Sequence, residues 1–212
     1  MQRERRYIVV EGPIGAGKTT LAGLLGERFG ADLLLENPGD NPFLANFYQD
    51  RRRWALSTQL FFLFQRVNQL SGLKQLDLFE RPTVSDFLFA KDPLFAQLNL
   101  LDDELALYQR IYSHLAPQVP APDLVIYLQA PVDTLMARIR RRGNPAERAI
   151  DEDYIRGLAE AYGRFFHDYA ASPLLIVNSQ NLNFVDRPED FDLLLRRISE
   201  MRGPREFFSL GR

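Results

Sequence analysis

Gly12, Gly17, Lys18 and Thr19 stand at the spacing G-x-x-x-x-G-K-[ST] within EGPIGAGKTT, residues 11–20. Glycines so placed let backbone N–H groups wrap closely around an anion, and a following helix turns its positive end toward it. Lys18 then reaches the outer phosphates of a nucleoside triphosphate, and the Thr19 hydroxyl is a ligand for Mg²⁺. Gly15, Ala16 and Thr20 complete the cradle. The context fits, because the apolar YIVV before the motif predicts a strand and LAGLLGERFG after it predicts a helix. Bound ATP with Mg²⁺ is the expectation. The acceptor of the phosphate stays open, since one cradle serves many reactions.

A cradle needs a scaffold, and the chain alternates two kinds of apolar pattern. YIVVEG, ADLLLE, TVSDFLF, DLVIYLQA and PLLIVNS predict strands. Between them GKTTLAGLLGERFG, WALSTQLFFLFQRVNQLSGLKQL, DDELALYQRIYSHL, VDTLMARIRRRG and DEDYIRGLAEAYGRFFHDYA predict helices, with a last helix over PEDFDLLLRRISEM. Nearly continuous apolar strands separated by helices imply a parallel sheet covered on both faces. The expected fold is a three-layer α/β/α phosphate-loop NTPase with a five-stranded parallel sheet, one domain over residues 1–212. The tail GPREFFSLGR is expected to pack poorly or to dock on a neighbour.

Composition narrows the function. The 212 residues are 46% hydrophobic, enough for a sizeable core. Their 26 Lys and Arg against 28 Asp and Glu give a net charge of -2, which draws no nucleic acid polymer. With no cysteine there is no disulfide or thiolate metal site, and His114 and His167 lie too far apart in sequence for a ligand pair. Both histidines are expected on solvated helix faces. Neither a signal peptide nor a run of about 18 apolar residues occurs, so the expectation is a cytoplasmic protein without a membrane partner. No N-K-x-D guanine signature is present, and LVIYLQAP ends without the acid of a motor ATPase. A small-molecule kinase remains.

From about Tyr7 to Phe184 the order of motifs resembles the deoxynucleoside kinase family, which shares the thymidylate-kinase-like fold. The first matching element is Glu36 in LLLEN, at the C-terminal end of a parallel strand, where such a sheet opens its ligand crevice. The resemblance makes Glu36 the base that takes the proton of a nucleoside 5′-hydroxyl. Asn37 intervenes before Pro38, whereas the family usually has proline at once. Gln59 and Arg66 are seven residues apart and share one helical face, where burying an amide and a guanidinium calls for partners. By resemblance they read the base edge, and Tyr48, eleven residues before Gln59, binds the 3′-hydroxyl with Glu147.

The family's acid–Arg pair after the third strand has two possible registers here. Glu80-Arg81 followed by Asp86 imitates it literally; Asp86-Phe87 followed by Asp92 fits the better strand, TVSDFLF, because Pro82 would interrupt a strand running through it. The second register is preferred. It makes Asp86 part of the Mg²⁺ environment and Asp92 a base contact, and it puts Phe87 where the family has an arginine. Another cation, from Arg51–Arg53 or Lys91, must then neutralise the phosphate. ARIRRRGNPAERAIDEDY resembles the arginine-rich lid, at about residues 138–150, with Arg138 and Arg142 aimed at the transferring phosphoryl group and Asn144 replacing the last lid arginine.

The resemblance implies transfer of the ATP γ-phosphoryl group to a deoxynucleoside for nucleotide salvage, by a homodimer. The Arg66–carboxylate pair favours deoxyadenosine or deoxyguanosine, allows deoxycytidine and disfavours thymidine. A thymidylate-kinase-like nucleoside monophosphate kinase and a non-catalytic nucleotide-binding regulator are the alternatives.

Overall fold

A computed structural model describes residues 6–75, 81–116 and 121–211. Its centre is β1, Tyr7–Glu11, buried along its whole length. On one side of β1 lies β3, Thr83–Ser85, followed outward by β2, Asp32–Leu34. On the other lie β4, Leu124–Gln129, then β5, Leu174–Asn178, then β6, Arg205–Phe208. All neighbours pair in parallel, with Val9 opposite both Ser85 and Val125. Because β1 is followed in space by strands reached in opposite directions, the C-terminal edge beside it is a topological switch point, where a crevice opens.

The sheet has six strands rather than the expected five, and the sixth is made by the tail. Pro204 O accepts the Leu174 N–H, setting the register, and the Arg205 guanidinium donates to the His167 and Tyr169 carbonyls at 2.8 and 2.7 Å. The run REFF offers the β5 edge a partner with Phe208 inward and Phe207 in solvent, a period of two too short to stand out in sequence.

Helix α1, Lys18–Phe29, follows the cradle and packs on β1, β2 and β3. The long α3, Arg51–Gln75, starts just after α2, Leu44–Gln49, where the Asp50 carboxylate accepts the Arg53 N–H at 3.2 Å. Next come α4, Asp92–Asn99, and α5, Asp102–Leu115, both packed on α3. Helix α6, Val132–Arg142, ends at Gly143, whose positive φ of 67° closes it. Helix α7, Glu152–Asp168, is capped by the Asp151 carboxylate on the Tyr154 N–H at 2.7 Å, and α8, Pro188–Glu200, precedes β6. The core runs through Val9, Val10, Leu124–Leu128 and Leu174–Val177 and takes in an aromatic stack of Tyr127, Tyr162 and Phe166. His114 and His167 are exposed, as expected.

Candidate active site

The cradle forms where β1 stops. Gly15 has φ 84°, and a Cβ there would lie 2.7 Å from the Leu135 carbonyl oxygen of α6, so only glycine fits. Lys18 bends back over the loop, donating to the Gly12 and Pro13 carbonyls at 2.8 and 3.2 Å. Burial lowers its pKa, while Glu11 acts the other way. Beside it the Thr19 hydroxyl donates to Asp86 Oδ2 at 2.5 Å, and Asp86 Oδ1 accepts the Glu36 N–H at 2.7 Å. Asp86 thus ties the ends of β2 and β3 to the first turn of α1. Burial raises its pKa, and the bonds from Thr19 and Glu36 pull against that rise.

Glu36, which follows β2, faces inward and lines the same cavity of about 930 Å³ as the cradle. Its Oε1 accepts from Arg66 Nε at 2.8 Å and from Arg66 Nη2. Burial pushes the carboxyl up, but Arg66, with Lys91 and Lys18, outweighs it and holds the group down at about 2. Arg66 reaches Asp92 with its other nitrogen, Nη1. Gln59 Nε2 donates to Asp92 Oδ1 at 2.5 Å and to its carbonyl at 3.1 Å, and the Tyr108 hydroxyl also donates to Oδ1. The face shared by Gln59 and Arg66 is therefore a polar cluster on Asp92 at the start of α4, fully paired although it is buried.

This geometry joins Asp86 to the cradle and Asp92 to Gln59 and Arg66. Arg81 is exposed at the far end of β3, and Glu80 lies outside the described residues. Phe87 is fully buried, with its ring centroid 6.0 Å from the Arg66 Cζ. Arg51 pairs with Asp151 and covers the Tyr154 ring, and Arg53 covers Trp54, so neither is turned to the cavity.

Tyr48 and Glu147 are buried and both line the cavity. Glu147 also accepts from Arg142 Nη2 at 2.6 Å. Arg138 donates to the Ser179 carbonyl at 2.6 Å, to its hydroxyl at 3.1 Å and to the Ala16 carbonyl at 3.4 Å. Arg138 and Arg142 thus both border the cavity while resting on protein acceptors. Asn144 uses its side chain locally, accepting the Ala146 N–H at 3.1 Å.

Several residues of the site carry no mark that the sequence reading used. Glu11 is fully buried at the foot of the cradle: Oε1 accepts the Gly12 N–H at 3.0 Å and the Tyr162 hydroxyl at 2.8 Å, and Oε2 accepts the Leu88 N–H at 2.6 Å. The signal was available, since an acid at the C-terminal end of a parallel strand is the same feature that singled out Glu36. Tyr108, Tyr162 and Ser179 look like ordinary helix and loop residues until α5, α7 and β5 bring them in.

Comparison with known proteins agrees with this geometry. The family model described as deoxynucleoside kinase matches residues 8–201. The chain is 34% identical to the deoxyguanosine kinase of Bacillus subtilis (strain 168) over 92% of this chain and 97% of that one. It is 30% identical to the deoxyadenosine kinase of Lactobacillus acidophilus, over 92% and 95%. The structure of deoxyadenosine kinase from M. mycoides, with products dCMP and a flexible dCDP bound, superposes with a TM-score of 0.80 at 23% identity, covering 92% of this chain and all of that one. A phosphate cradle, an inward carboxylate and a family match spanning nearly every element lead to one conclusion: the chain belongs to the deoxynucleoside kinase family.

Proposed function

We propose that this kinase transfers the ATP γ-phosphoryl group to the 5′-hydroxyl of a purine deoxynucleoside, with deoxycytidine a lesser substrate. The observation that carries the reading is a single cavity joining the cradle of Lys18 and Thr19 to Glu36, and Glu36 to the Arg66–Asp92–Gln59 cluster. The 5′-oxygen bonds to the γ-phosphorus, the bond from that phosphorus to the β-bridging oxygen breaks, ADP leaves, and the hydroxyl proton passes to Glu36. Tyr48 and Glu147 hold the 3′-hydroxyl. Arg138 and Arg142 leave their resting acceptors to meet the charge of the moving phosphoryl group. Arg66 and Gln59, which line the cavity, would offer donors and an acceptor to a base edge with an exocyclic amine or a purine acceptor, while Asp92, fully buried behind them, holds Arg66 in place; thymine would leave the acceptor unpaired. The names of the deoxyguanosine and deoxyadenosine kinase relatives support that preference.

Mg²⁺ suits the donor set at the cradle. Thr19 and Asp86 are hard oxygen donors already in contact, and Mg²⁺ takes one or two such protein oxygens beside phosphates. Thr19 would hold it directly and Asp86 through water. When bound, the ion neutralises charge on the phosphates. Among the described residues no helix is long and apolar enough to cross a membrane. Our reading also makes the enzyme a cytoplasmic homodimer.

The test is a panel of the four deoxynucleosides and their monophosphates with ATP. Deoxyguanosine or deoxyadenosine should turn over fastest; thymidine outrunning the other three would sink the pocket assignment. Turnover of monophosphates alone would make the chain a monophosphate kinase, and ATP hydrolysis indifferent to every acceptor would make it a regulator. Glu36→Gln should lower kcat by about 10²–10⁴-fold while deoxynucleoside affinity stays nearly unchanged.

A further inference from the structure

Phe87 leaves the site without a cation at the end of β3, and the neighbourhood of the next turn contains a replacement. Residues Phe89–Lys91 form a 3₁₀ turn, closed by the Lys91 N–H on the Leu88 carbonyl at 3.1 Å. The turn brings the Lys91 side chain back toward the foot of the cradle, where it is only 2% exposed and borders the cavity. Its Nζ lies 3.7 Å from Glu11 Oε1 and 4.7 Å from the centroid of the Phe95 ring, one helical turn further on. Glu11 holds both ends of this arrangement, since its Oε2 accepts the Leu88 N–H at 2.6 Å.

The pairing is loose for a buried charge. A buried ammonium needs acceptors for three donors, and 3.7 Å is beyond hydrogen-bond reach. Glu11 already accepts from Gly12, Tyr162 and Leu88, so it supplies Lys91 with charge rather than a hydrogen bond. The ring face of Phe95 adds electrostatic support without accepting a conventional hydrogen bond. The other buried cation lining the cavity, Arg66, is engaged by Glu36 and Asp92, and Lys18 is folded onto the loop carbonyls. Arg51 and Arg53, the rival cations in sequence, lie elsewhere.

We propose that Lys91 is a catalytic residue: its ammonium contacts the transferring phosphoryl group from the floor of the cavity, in place of the arginine that Phe87 displaces, and Glu11 is the positioning residue that sets it there. The charge is felt at both ends of the reaction. It depresses Glu36, after burial and Arg66, and it depresses Lys18, after burial and the opposing effect of Glu11. A cation between the cradle and the base would stabilise the negative charge that develops as the phosphoryl group passes across. The inference rests on the kinase reading above.

The experiment compares the wild type with Lys91→Met, Lys91→Arg and the double variant Glu11→Gln/Lys91→Met. It measures kcat with ATP and the best deoxynucleoside, deoxynucleoside Kd without ATP, and thermal midpoint. Lys91→Met should lose roughly 10²–10³-fold in kcat, as when one charge-stabilising donor is removed, with Kd changed less than about threefold. Lys91→Arg should recover most of that loss. The double variant removes the unpaired buried charge but turns an amide NH2 toward the Gly12 or Leu88 N–H, so its kcat is read beside its thermal midpoint and its KM for ATP, which report damage to the fold or the cradle. If Lys91 serves the phosphate, the double variant stays as slow as expected for Lys91→Met. If Lys91 only neutralises Glu11, the double variant regains wild-type kcat and the proposal falls. It also falls if Lys91→Met itself keeps kcat within about threefold of wild type, well short of a lost charge-stabilising donor. A wild type inert toward every deoxynucleoside would overturn the kinase reading and this proposal together, whereas an active wild type with a fast variant overturns this proposal alone.

Discussion

Glu36, the base of the proposed reaction, has its chemistry set by its neighbour. With its carboxyl held at about 2 by Arg66 and two lysines against the effect of burial, it stays ionised around neutral pH. Such a group is a weak proton acceptor at rest, so in the proposed reaction it would orient the hydroxyl first and take the proton late, as the oxygen bonds to phosphorus. The depressed value also has a stability consequence. Folding lowers this carboxyl from its ordinary 4.5, so the group contributes stability that is present above about 4.5 and is lost as pH falls toward about 2. Arg66→Leu removes the strongest cation while leaving Glu36 buried, and its carboxyl must rise. The wild-type profile should show no limb from Glu36 between pH 4.5 and 8, and the variant should gain an acid limb inside that window; a profile equally flat in both would show that Arg66 does not govern Glu36. Glu36 itself was legible from its place after a parallel strand. That it shares Arg66 with Asp92 was not, because three elements supply the three side chains and only their packing makes them meet.

At the scale of elements, the cradle is shaped by α6 as much as by its own glycines. A Cβ on Gly15 would press on the Leu135 carbonyl at 2.7 Å, with φ at 84° opposing it as well. Gly15→Ala should therefore destabilise the fold by about 1–3 kcal/mol in urea unfolding and raise the KM for ATP severalfold. Gly163 offers the contrast: it lies inside α7, exposed, with nothing within 4 Å of an added Cβ. Gly163→Ala should stabilise by about 0.5–1 kcal/mol in the same measurement, because helix entropy is all that changes. The motif spacing shows that glycines are required, but which carbonyl forbids a side chain depends on α6, over a hundred residues further along the chain.

The whole molecule depends on a sheet that is longer than its strong strands suggest. Strand β6 covers the β5 edge and is fastened by Arg205 to two carbonyls and by the Arg197–Glu206 ion pair at 2.9 Å. Deleting residues 203–212 bares that edge. The unfolding free energy should fall by roughly 2–4 kcal/mol in denaturant titration, from several net hydrogen bonds, and light scattering should report association through the free edge. An unchanged midpoint would mean that β6 is ornamental to the fold.

The sequence by itself determined the phosphate cradle, the alternation of strands and helices and the acid at the end of β2, because each is written in local spacing: a turn, a period, a strand terminus. The same locality made the register choice tractable, since Pro82 and the apolar run after it argue where a strand can lie. Only the tertiary structure decided what those groups touch. Arg66 joins Glu36 to Asp92, Glu11 faces Lys91, Arg138 and Arg142 rest on Ser179 and Glu147, and a polar-flanked tail becomes a strand. Each of these unites residues from separate elements, and burial selects such partners through shape and charge rather than distance along the chain.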